Sequence, residues 1–338
     1  MTLSVHHFGP DPTAVGGMAT VIRVLTEYNV GGDAVDSHPT WRPQSDLSTA
    51  RLVAASTRAL LHIPATDVAH IHLSERGAFL REGMFVALAH KRGLVTVATI
   101  HGASFMPFAR RFPRLVSAVL RRADLVTCLD QEVLDFVRLH VPQTRSALVP
   151  NPVFIDSSFI PADTTAELVV FAGEIGLRKG ADVLCRAWRD VAQRRPEARC
   201  LMVGPVTDFE PPSAERLEVR PPVGPVEIDA ILQEARVVAL PSRAEGVPMV
   251  LTEAMSKGRA FVSTPVGGIP ELAGKGGVLV PVGDETNLAD SLVSLLADPD
   301  RARAIGERGR QFCEETRSVA VIDARLRQLY SAARADKR

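Results

Sequence analysis

The sequence predicts an α/β protein with two doubly wound domains, each a parallel sheet covered by helices on both faces. Short runs rich in Val and Ile alternate with segments whose apolar residues recur every three or four positions. Because uninterrupted apolar strands are typical of sheets buried on both faces, this alternation favours parallel sheets. The alternation occurs as two series, separated by residues 150–168, which are rich in Pro, Ser, Thr and Asp.

The first series predicts a domain over residues 1–155. Its strand candidates are TLSVHHF (2–8), DVAHIHLS (67–74), LVTVATIHG (94–102), DLVTCLD (124–130) and SALVPNPV (146–153). The helical patterns between them are GGMATVIRVLTEY (16–28), STARLVAASTRALLHI (48–63), EGMFVALAHKRG (82–93) and RLVSAVLRRA (114–123).

The second series predicts a domain over residues 156–316. Its strand candidates, again separated by helical patterns, are ELVVFAGEI (167–175), ARCLMVGPV (198–206), RLEVRPPV (216–223), ARVVALPS (235–242), RAFVSTP (259–265) and GGVLVPV (276–282). Residues 317–338 carry a helical pattern with no strand after it. They predict a terminal helix that packs back on one of the two domains, and we take the first domain as the candidate for this contact.

Composition narrows the class of protein. Lys plus Arg and Asp plus Glu both number 39 in 338 residues, and this balance argues against broad nucleic-acid binding, which needs a basic face. The four cysteines are scattered without a CxxC pair, as expected in a reducing compartment. The N-terminus lacks the features of a signal peptide, and no apolar run approaches the ~18 residues of a membrane span. The sequence therefore predicts a cytoplasmic protein.

The stretch EGVPMVLTEAM follows the strand candidate ARVVALPS and combines two carboxylates with a helix start. We expect a helix over 248–257, with Pro248 in its first turn and Gly258 after its end. The first turn of such a helix binds phosphate through free N–H groups, while Glu245 and Glu253 can accept paired hydrogen bonds from hydroxyls. This layout suits a sugar nucleotide, although a capped helix with solvated acids would show the same pattern.

Two further candidates follow strands of the first series, at the sheet edge where doubly wound domains bind ligands. Gly16 and Gly17 would let a helix N-terminus approach a phosphate, or would simply form a flexible turn. His101 directly follows a strand, where a lone histidine is more often structural than functional. His70 and His72 are interpreted as fold residues, and no His and carboxylate group has metal-ligand spacing.

These motifs together resemble the retaining GT-B glycosyltransferases of family 4. EGVPMVLTE is similar to the E-x7-E motif of that family, and Gly267 to Glu271 resemble its G-G-x-x-E turn. The likeness is specific over residues 168–315 and looser in the first half. It implies two Rossmann-like domains facing a cleft, and transfer of a hexose from a UDP- or GDP-sugar to a hydroxyl with retention of configuration. It implies no resident cofactor and no metal ion.

The resemblance also implies roles for single residues. Glu245 would hold and orient the sugar, Glu253 the ribose and Lys179 the phosphates, and Arg178 is added as a phosphate-binding candidate because it lies beside Lys179. His101 would lie against the donor sugar and Gly17 against its diphosphate, brought to the second domain by closure. The remaining donor-binding candidates surround the start of the motif helix: Gly246, Val247, Met249 and Val250. We take Glu245, His101 and Lys179 as the catalytic candidates.

One position departs from the family pattern. Family members usually carry an Arg directly after the first glycine of the FAG segment, whereas this chain has Glu174. A carboxylate there would repel a diphosphate by about 1 kcal/mol at ~4 Å in water. Arg178 could replace the missing cation, or Glu174 could turn away and pair with Arg178.

The acceptor is the least constrained part of the prediction. Residues 105–122 mix Phe and Met with five arginines, which suits either contact with an anionic membrane or a core-facing helix with solvated arginines. The acceptor is expected to be a glycan, a lipid-linked molecule or a small molecule. Two alternatives keep the fold: a nucleotide-sugar epimerase, and a sugar-nucleotide-binding protein whose catalysis is impaired by Glu174.

Overall fold

The computed structural model describes residues 4–27, 34–42, 46–157 and 159–337, with the side chains of 46 and 47 outside the description. The chain divides into two compact units, Met1–Pro152 with Val319–Arg338, and Val153–Ser318. The sequence placed these divisions a few residues away, at 155/156 and 316/317.

The first unit is a parallel sheet of six strands in the order β2-β1-β3-β4-β5-β6. The strands are β1 (Val5–Pro10), β2 (Val35–Trp41), β3 (Val68–Leu73), β4 (Val95–Ile100), β5 (Leu125–Cys128) and β6 (Arg145–Leu148). The helices are α1 (Gly17–Glu27), α2 (Asp46–His62), α3 (Arg76–Lys91), α4 (Phe105–Arg111), α5 (Pro113–Leu120), α6 (Gln131–His140) and the terminal α13 (Val319–Asp336).

The second unit is a parallel sheet of six strands in the order β12-β11-β10-β7-β8-β9. The strands are β7 (Leu168–Ala172), β8 (Arg199–Val203), β9 (Leu217–Arg220), β10 (Val237–Leu240), β11 (Ala260–Ser263) and β12 (Gly277–Leu279). The helices are α7 (Ala181–Arg194), α8 (Pro225–Glu234), α9 (Met249–Ser256), α10 (Ile269–Gly276), α11 (Glu285–Ala297) and α12 (Pro299–Thr316), with a short 3₁₀ turn at Ala162–Thr164.

Burial explains why these runs form central strands. Every residue of β3, β4, β7 and β10 is buried, as expected for strands covered by helices on both faces. In the second unit Trp188 of α7 is fully buried, and its indole N–H donates to the carbonyl of Glu215 at 2.9 Å. The prediction of two doubly wound, Rossmann-like domains is confirmed.

The sequence did not predict strand β2 or helix α6, and it displaced the starts of α3 and α9. The strand β2 has the sequence VDSHPTW, with little apolar character and an internal Pro39, which is tolerated because β2 lies at the sheet edge. Pro248 is the N-cap of α9 with extended dihedral angles, so the helix begins one residue later than predicted. Thr2 and Leu3 of the first strand candidate, and Tyr28 of the first helical pattern, lie outside the described residues.

The terminal helix α13 belongs to the first unit. The hydroxyl of Tyr330 lies 2.7 Å from Nδ1 of His70, and Lys337 forms an ion pair with Asp124 at 2.6 Å. No helix in the described part of the chain combines the length and the apolar character that crossing a bilayer requires.

Candidate functional site

The strand order of the second unit creates a site beside β7. On one side of β7 the sheet continues through β8 and β9, and on the other side it continues through β10, β11 and β12. Ligands of such sheets bind at this switch point, outside the carboxyl ends of the strands. The loops that leave β7 and β10 there carry Glu174, Arg178, Lys179 and Glu245.

Glu245 is the centre of the charged group at this switch point. Its side chain is only 7% exposed, and its Oε1 accepts from Nζ of Lys179 at 2.8 Å and from Oγ of Ser242 at 2.9 Å. Nη1 of Arg178 lies 3.6 Å from the same oxygen. The structure thus brings together three residues that the sequence predicted for one site, and adds Ser242, which the sequence analysis missed.

Glu174 pairs with Arg178, which is the second of the two arrangements considered above. Nη2 of Arg178 donates to Glu174 at 2.9 Å, while its Nη1 donates to the carbonyl of Ala244 at 3.1 Å. Thr207 provides a further donor to Glu174 at 3.2 Å. Arg178 therefore links both acidic residues, and neither carboxylate stands alone near the candidate phosphate position.

Glycines allow the loops after β7 to approach their neighbours closely. Gly180 has a φ of 72°, and a Cβ there would lie 2.0 Å from the carbonyl oxygen of Pro241. Gly173 has a φ of 134°, and a Cβ there would lie 3.1 Å from Cε of Lys179. A positive φ with a backbone contact this close requires glycine at Gly180, and at Gly173 a side chain would be strained and would crowd Lys179.

A second ion pair fixes the loop after β10, and it was not anticipated from the sequence. Both terminal nitrogens of Arg243 donate to the carboxylate of Asp182, at 2.6 and 2.8 Å. The hydrogen bonds from Arg243 are the main reason that the pKa of Asp182 lies below its usual value. Asp182 lies in the first turn of α7, where a carboxylate also favours the helix dipole.

The helix α9 starts beside this group. Val247, Met249 and Val250 have buried side chains, so only their backbone groups are offered to a ligand. The N–H of Gly268 donates to the carbonyl of Gly246 at 2.8 Å, so the glycine pair of the predicted turn supports the loop that carries Glu245. Glu253 is half-buried in the second turn of α9, one helical turn after Met249.

In the first unit, Gly17 is the first residue of α1 and follows β1, which lies between β2 and β3 at the switch point of that sheet. Gly16 has a φ of 146°, and apart from its chain neighbours no described residue comes within 4 Å of a Cβ built on it. The predicted glycine pair therefore forms an open turn into a helix N-terminus, the geometry that admits an anion.

His101 is buried and connected to other histidines. Its Nε2 lies 3.0 Å from Nδ1 of His72, whose Nε2 lies 2.9 Å from Nδ1 of His7. Burial lowers the pKa of both His101 and His7 to about 3, assisted for His7 by the charges of His6 and His38. These rings are therefore neutral at physiological pH, and His101 can act on a ligand only as a neutral hydrogen-bonding group or through its backbone.

One group of histidines was not expected to lie together. His7, His70 and His72 each offer a ring nitrogen, and these atoms lie within 4.8 Å of one another. The sequence gives no ligand spacing because His7 meets His70 only through the pairing of β1 with β3. A metal ion would compete with the hydrogen bonds of His72 to His7 and His101, and of His70 to Tyr330 and Thr99.

Two Rossmann-like units, with a lysine and carboxylate pair at the switch point of the second, define the class of GT-B glycosyltransferases. Residues 166–298 match the family model for glycosyl transferases group 1, and residues 15–157 match that for glycosyltransferase family 4. The chain belongs to this family.

Relatives of assigned function support the membership. The chain is 31% identical over 301 residues to a D-inositol 3-phosphate glycosyltransferase of Xylanimonas cellulosilytica, covering 76% of this chain and 71% of that protein. It is 33% identical over 161 residues to the same enzyme of Segniliparus rotundus, covering 44% of this chain but only 36% of that protein. An alpha-maltose-1-phosphate synthase of Mycolicibacterium smegmatis is 33% identical over 191 residues, covering 50% of this chain and 48% of that protein.

Solved structures share the fold at lower identity. Sucrose-phosphate synthase from Thermosynechococcus elongatus superimposes with a TM-score of 0.77 at 19% identity, covering 99% of this chain and all of that one (100%). The Anabaena protein Alr3699/HepE, solved in complex with UDP-glucose, has a TM-score of 0.73 at 17% identity, covering 98% of this chain and 100% of that one.

Proposed function

We propose that this chain is a retaining, metal-independent hexosyltransferase that uses a UDP- or GDP-sugar as donor and a hydroxyl group as acceptor. The observation that carries the proposal is the cluster of Lys179, Arg178 and Glu245 at the switch point of the second unit. It offers two cations to a diphosphate and one carboxylate to the hydroxyls of a sugar, within a few ångströms of one another.

In this reaction negative charge grows on the departing diphosphate. Lys179 and Arg178 stabilise that charge, together with backbone N–H groups at the start of α9 near Met249 and Val250. Glu245 orients the sugar by accepting from its hydroxyls, and Glu253 accepts from the ribose hydroxyls. Attack from the face that the leaving group vacates needs no dedicated protein base, because the departing phosphate can accept the proton of the attacking hydroxyl.

The pairing of Glu245 with Lys179 has a consequence for donor binding. Each cation of the cluster already contacts a carboxylate, Lys179 that of Glu245 and Arg178 that of Glu174. A diphosphate must share these cations with the carboxylates or displace them. The Arg178 pair also neutralises the charge of Glu174, which favours a working donor site over one disabled by that residue.

We extend the proposal to the first unit on family grounds. Gly17 faces the donor diphosphate and His101 faces the donor sugar. The names of the relatives, among them D-inositol 3-phosphate glycosyltransferases and an alpha-maltose-1-phosphate synthase, support a sugar-like acceptor. An inositol or hexose phosphate is therefore the first acceptor to assay.

A lipid-linked acceptor is favoured by one observation in the first unit. Phe112 is 45% exposed and Leu115 is 36% exposed, and the arginines nearby are exposed as well. Apolar side chains surrounded by cations suit peripheral contact with an anionic bilayer. Flotation with anionic and with zwitterionic vesicles, for the wild type and for Phe112→Ser/Leu115→Ser, tests this contact; equal recovery with all four combinations contradicts it.

A donor and acceptor screen tests the main proposal. The protein is incubated with UDP- and GDP-sugars, with and without inositol phosphates and hexose phosphates, in the presence of EDTA. We expect nucleotide release that depends on acceptor and survives the chelator. A change in the donor sugar without nucleotide release supports the epimerase, and thermal stabilisation by UDP or GDP without turnover supports the impaired binding protein.

A further inference from the structure

A row of histidines crosses the first sheet and ends at His101. His7 lies on β1, His72 lies on β3, and His101 directly follows β4. Their exposed fractions are 2%, 1% and 6%. The two nitrogen–nitrogen distances along the row are 2.9 and 3.0 Å, within hydrogen-bonding range.

The hydrogen-bond directions in this row depend on one another. A neutral imidazole has one nitrogen that donates and one that accepts. His72 uses both nitrogens, Nε2 toward His7 and Nδ1 toward His101. If His72 donates to His101, it must therefore accept from His7, and if it accepts from His101, it must donate to His7.

Two complete arrangements satisfy this constraint, and they differ at His101. In the first, His101 accepts at Nε2 and carries its proton on Nδ1. In the second, His101 donates from Nε2, and its Nδ1 bears a lone pair. Because Nε2 is occupied by His72 in both, Nδ1 is the ring nitrogen that can meet a ligand.

We propose that His7, His72 and His101 form one hydrogen-bonded unit in which His7 and His72 set whether Nδ1 of His101 presents a proton or a lone pair. Conversion of the first arrangement into the second moves each shared proton across its hydrogen bond. One proton leaves Nδ1 of His101 and one arrives at Nε2 of His7, both exchanged with water, so the net charge is unchanged. His7 and His72 are thus positioning residues for His101.

A functional consequence rests on the proposed function. A donor-sugar hydroxyl that donates to His101 needs the lone pair on Nδ1, and hence the second arrangement. No cationic ring is required, in accordance with the deep burial of the row.

His70 provides a matched control within the same cluster. It is 1% exposed, lies on the same strand as His72, and stacks on that ring at 4.6 Å between centroids. Its nitrogens bond instead to the hydroxyls of Tyr330 and Thr99. A change at His70 alters packing around the row without removing a member of it.

The test is nitrogen NMR of the full chain with ¹⁵N-labelled histidine, comparing wild type, His7→Leu and His70→Leu. In His7→Leu the Nε2 of His72 loses its partner, and an unpaired buried N–H is less tolerated than an unpaired acceptor. His72 then donates to His101, which becomes fixed with its proton on Nδ1. Because the proposed function uses the second arrangement, we expect the wild type to hold it, the ring shifts of His101 to move to the tautomer protonated at Nδ1 in His7→Leu, and those shifts to stay at the wild-type position in His70→Leu.

A second measurement on the wild type alone covers the case in which a variant does not fold. Scalar coupling across the hydrogen bonds should connect a nitrogen of His7 to one of His72, and a nitrogen of His72 to one of His101. Absence of either coupling, or identical His101 shifts in wild type and folded His7→Leu, overturns the inference.

Activity measurements separate this inference from the proposed function. We expect transfer to fall about tenfold in His7→Leu, the effect of one lost hydrogen bond to the sugar, and to be retained in His70→Leu. If the NMR couplings and the shift change in His7→Leu are as expected but the wild type transfers no sugar from any donor, the proposed function is contradicted while the inference about the histidine unit stands. Equal transfer by His7→Leu and wild type contradicts the use of that unit in the reaction.

Discussion

The two units share one parallel α/β frame but place different chemistry at the carboxyl ends of their strands. The second unit collects charged side chains there, with Glu245, Lys179, Arg178 and Glu174 joined by ion pairs. The first unit collects neutral, buried imidazoles in the row from His7 to His101. All nine histidines of the chain lie between residues 6 and 140, and none lies in the second unit.

The same α/β frame thus presents groups suited to different parts of a ligand in the two units. The partly exposed pair of Arg178 with Glu174 can exchange partners with a diphosphate at little cost, because water compensates the charges during the exchange, whereas Lys179 and Glu245 are largely buried and their pair is held more firmly. Buried imidazoles cannot become charged cheaply, so they suit the recognition of neutral hydroxyls. In our account Lys179 and Arg178 suit the charged part of the donor, whereas the neutral ring of His101 suits its hydroxyls.

The two units should differ most in how strongly their stability depends on pH. Since the pKa of His7 and of His101 is about 3 in the folded protein and about 6.5 when unfolded, the unfolded chain binds more protons between these values. The free energy of unfolding of the first unit should therefore fall with decreasing pH, by about 1.4 kcal/mol per pH unit for each ring, starting near pH 6.5.

Calorimetry between neutral pH and about pH 4.5 checks this. Over two pH units the two rings together should lower the free energy of unfolding of the first unit by about 5 kcal/mol. The transition of the first unit should move to lower temperature more than that of the second, which has no histidine. Equal shifts of both transitions would show that the burial of the imidazoles does not control acid stability.

Removal of Glu245 should have the largest effect on the reaction. We expect Glu245→Ala to lower kcat for transfer by about a hundredfold or more, because the sugar loses its orienting carboxylate and Lys179 its partner. Glu167→Gln is a suitable control, since Glu167 is also largely buried and pairs with Arg195, and it lies before the start of β7 whereas the motif loop follows the end of that strand. A comparable loss in both variants would point to general destabilisation instead.

Glu253 should affect binding more than turnover. Replacing it with Gln removes the charge that strengthens hydrogen bonds to ribose hydroxyls, so KM for the donor should rise about tenfold while kcat changes little. Initial rates over a range of donor concentrations separate the two parameters. A loss confined to kcat would reassign Glu253 to the reacting end of the donor.

Replacement of Glu174 should have the smallest effect, and it should strengthen donor binding instead of weakening it. Glu174→Gln frees Arg178 for the diphosphate, and since both side chains are about one-third exposed we expect only a roughly threefold gain in affinity for UDP or GDP. Calorimetric titration of wild type and variant measures it. Weaker binding by the variant would mean that Glu174 helps to position Arg178 for the ligand.

The sequence was sufficient where local pattern decides the structure. Buried strands such as VAHIHL and VTVATI consist mainly of Val, Ala, Ile and Leu, and the motif loops follow strands, so the fold and the location of Glu245 and Lys179 were predictable. The edge strand β2 was missed because an edge needs little apolar character.

What depends on pairing between distant segments was not predictable. His7 reaches the other histidines only because β1 pairs with β3 in one register, and no spacing in the sequence encodes that. Whether Arg178 turns toward Glu174 was likewise left open, because two side-chain conformations were compatible with the same sequence. The Asp182–Arg243 pair joins residues 61 positions apart, and each looks ordinary alone.

In our account the loop that carries Glu245 orients the donor sugar so that the acceptor attacks its anomeric carbon with retention of configuration. The most direct measurement follows the anomeric proton of the donor by NMR during incubation with wild type and with Glu245→Ala, in the presence of an inositol or hexose phosphate. We expect a new glycoside with the anomeric configuration of the donor in the wild-type reaction, and almost none with the variant. A product of inverted configuration, or equal product formation by the variant, would contradict the account.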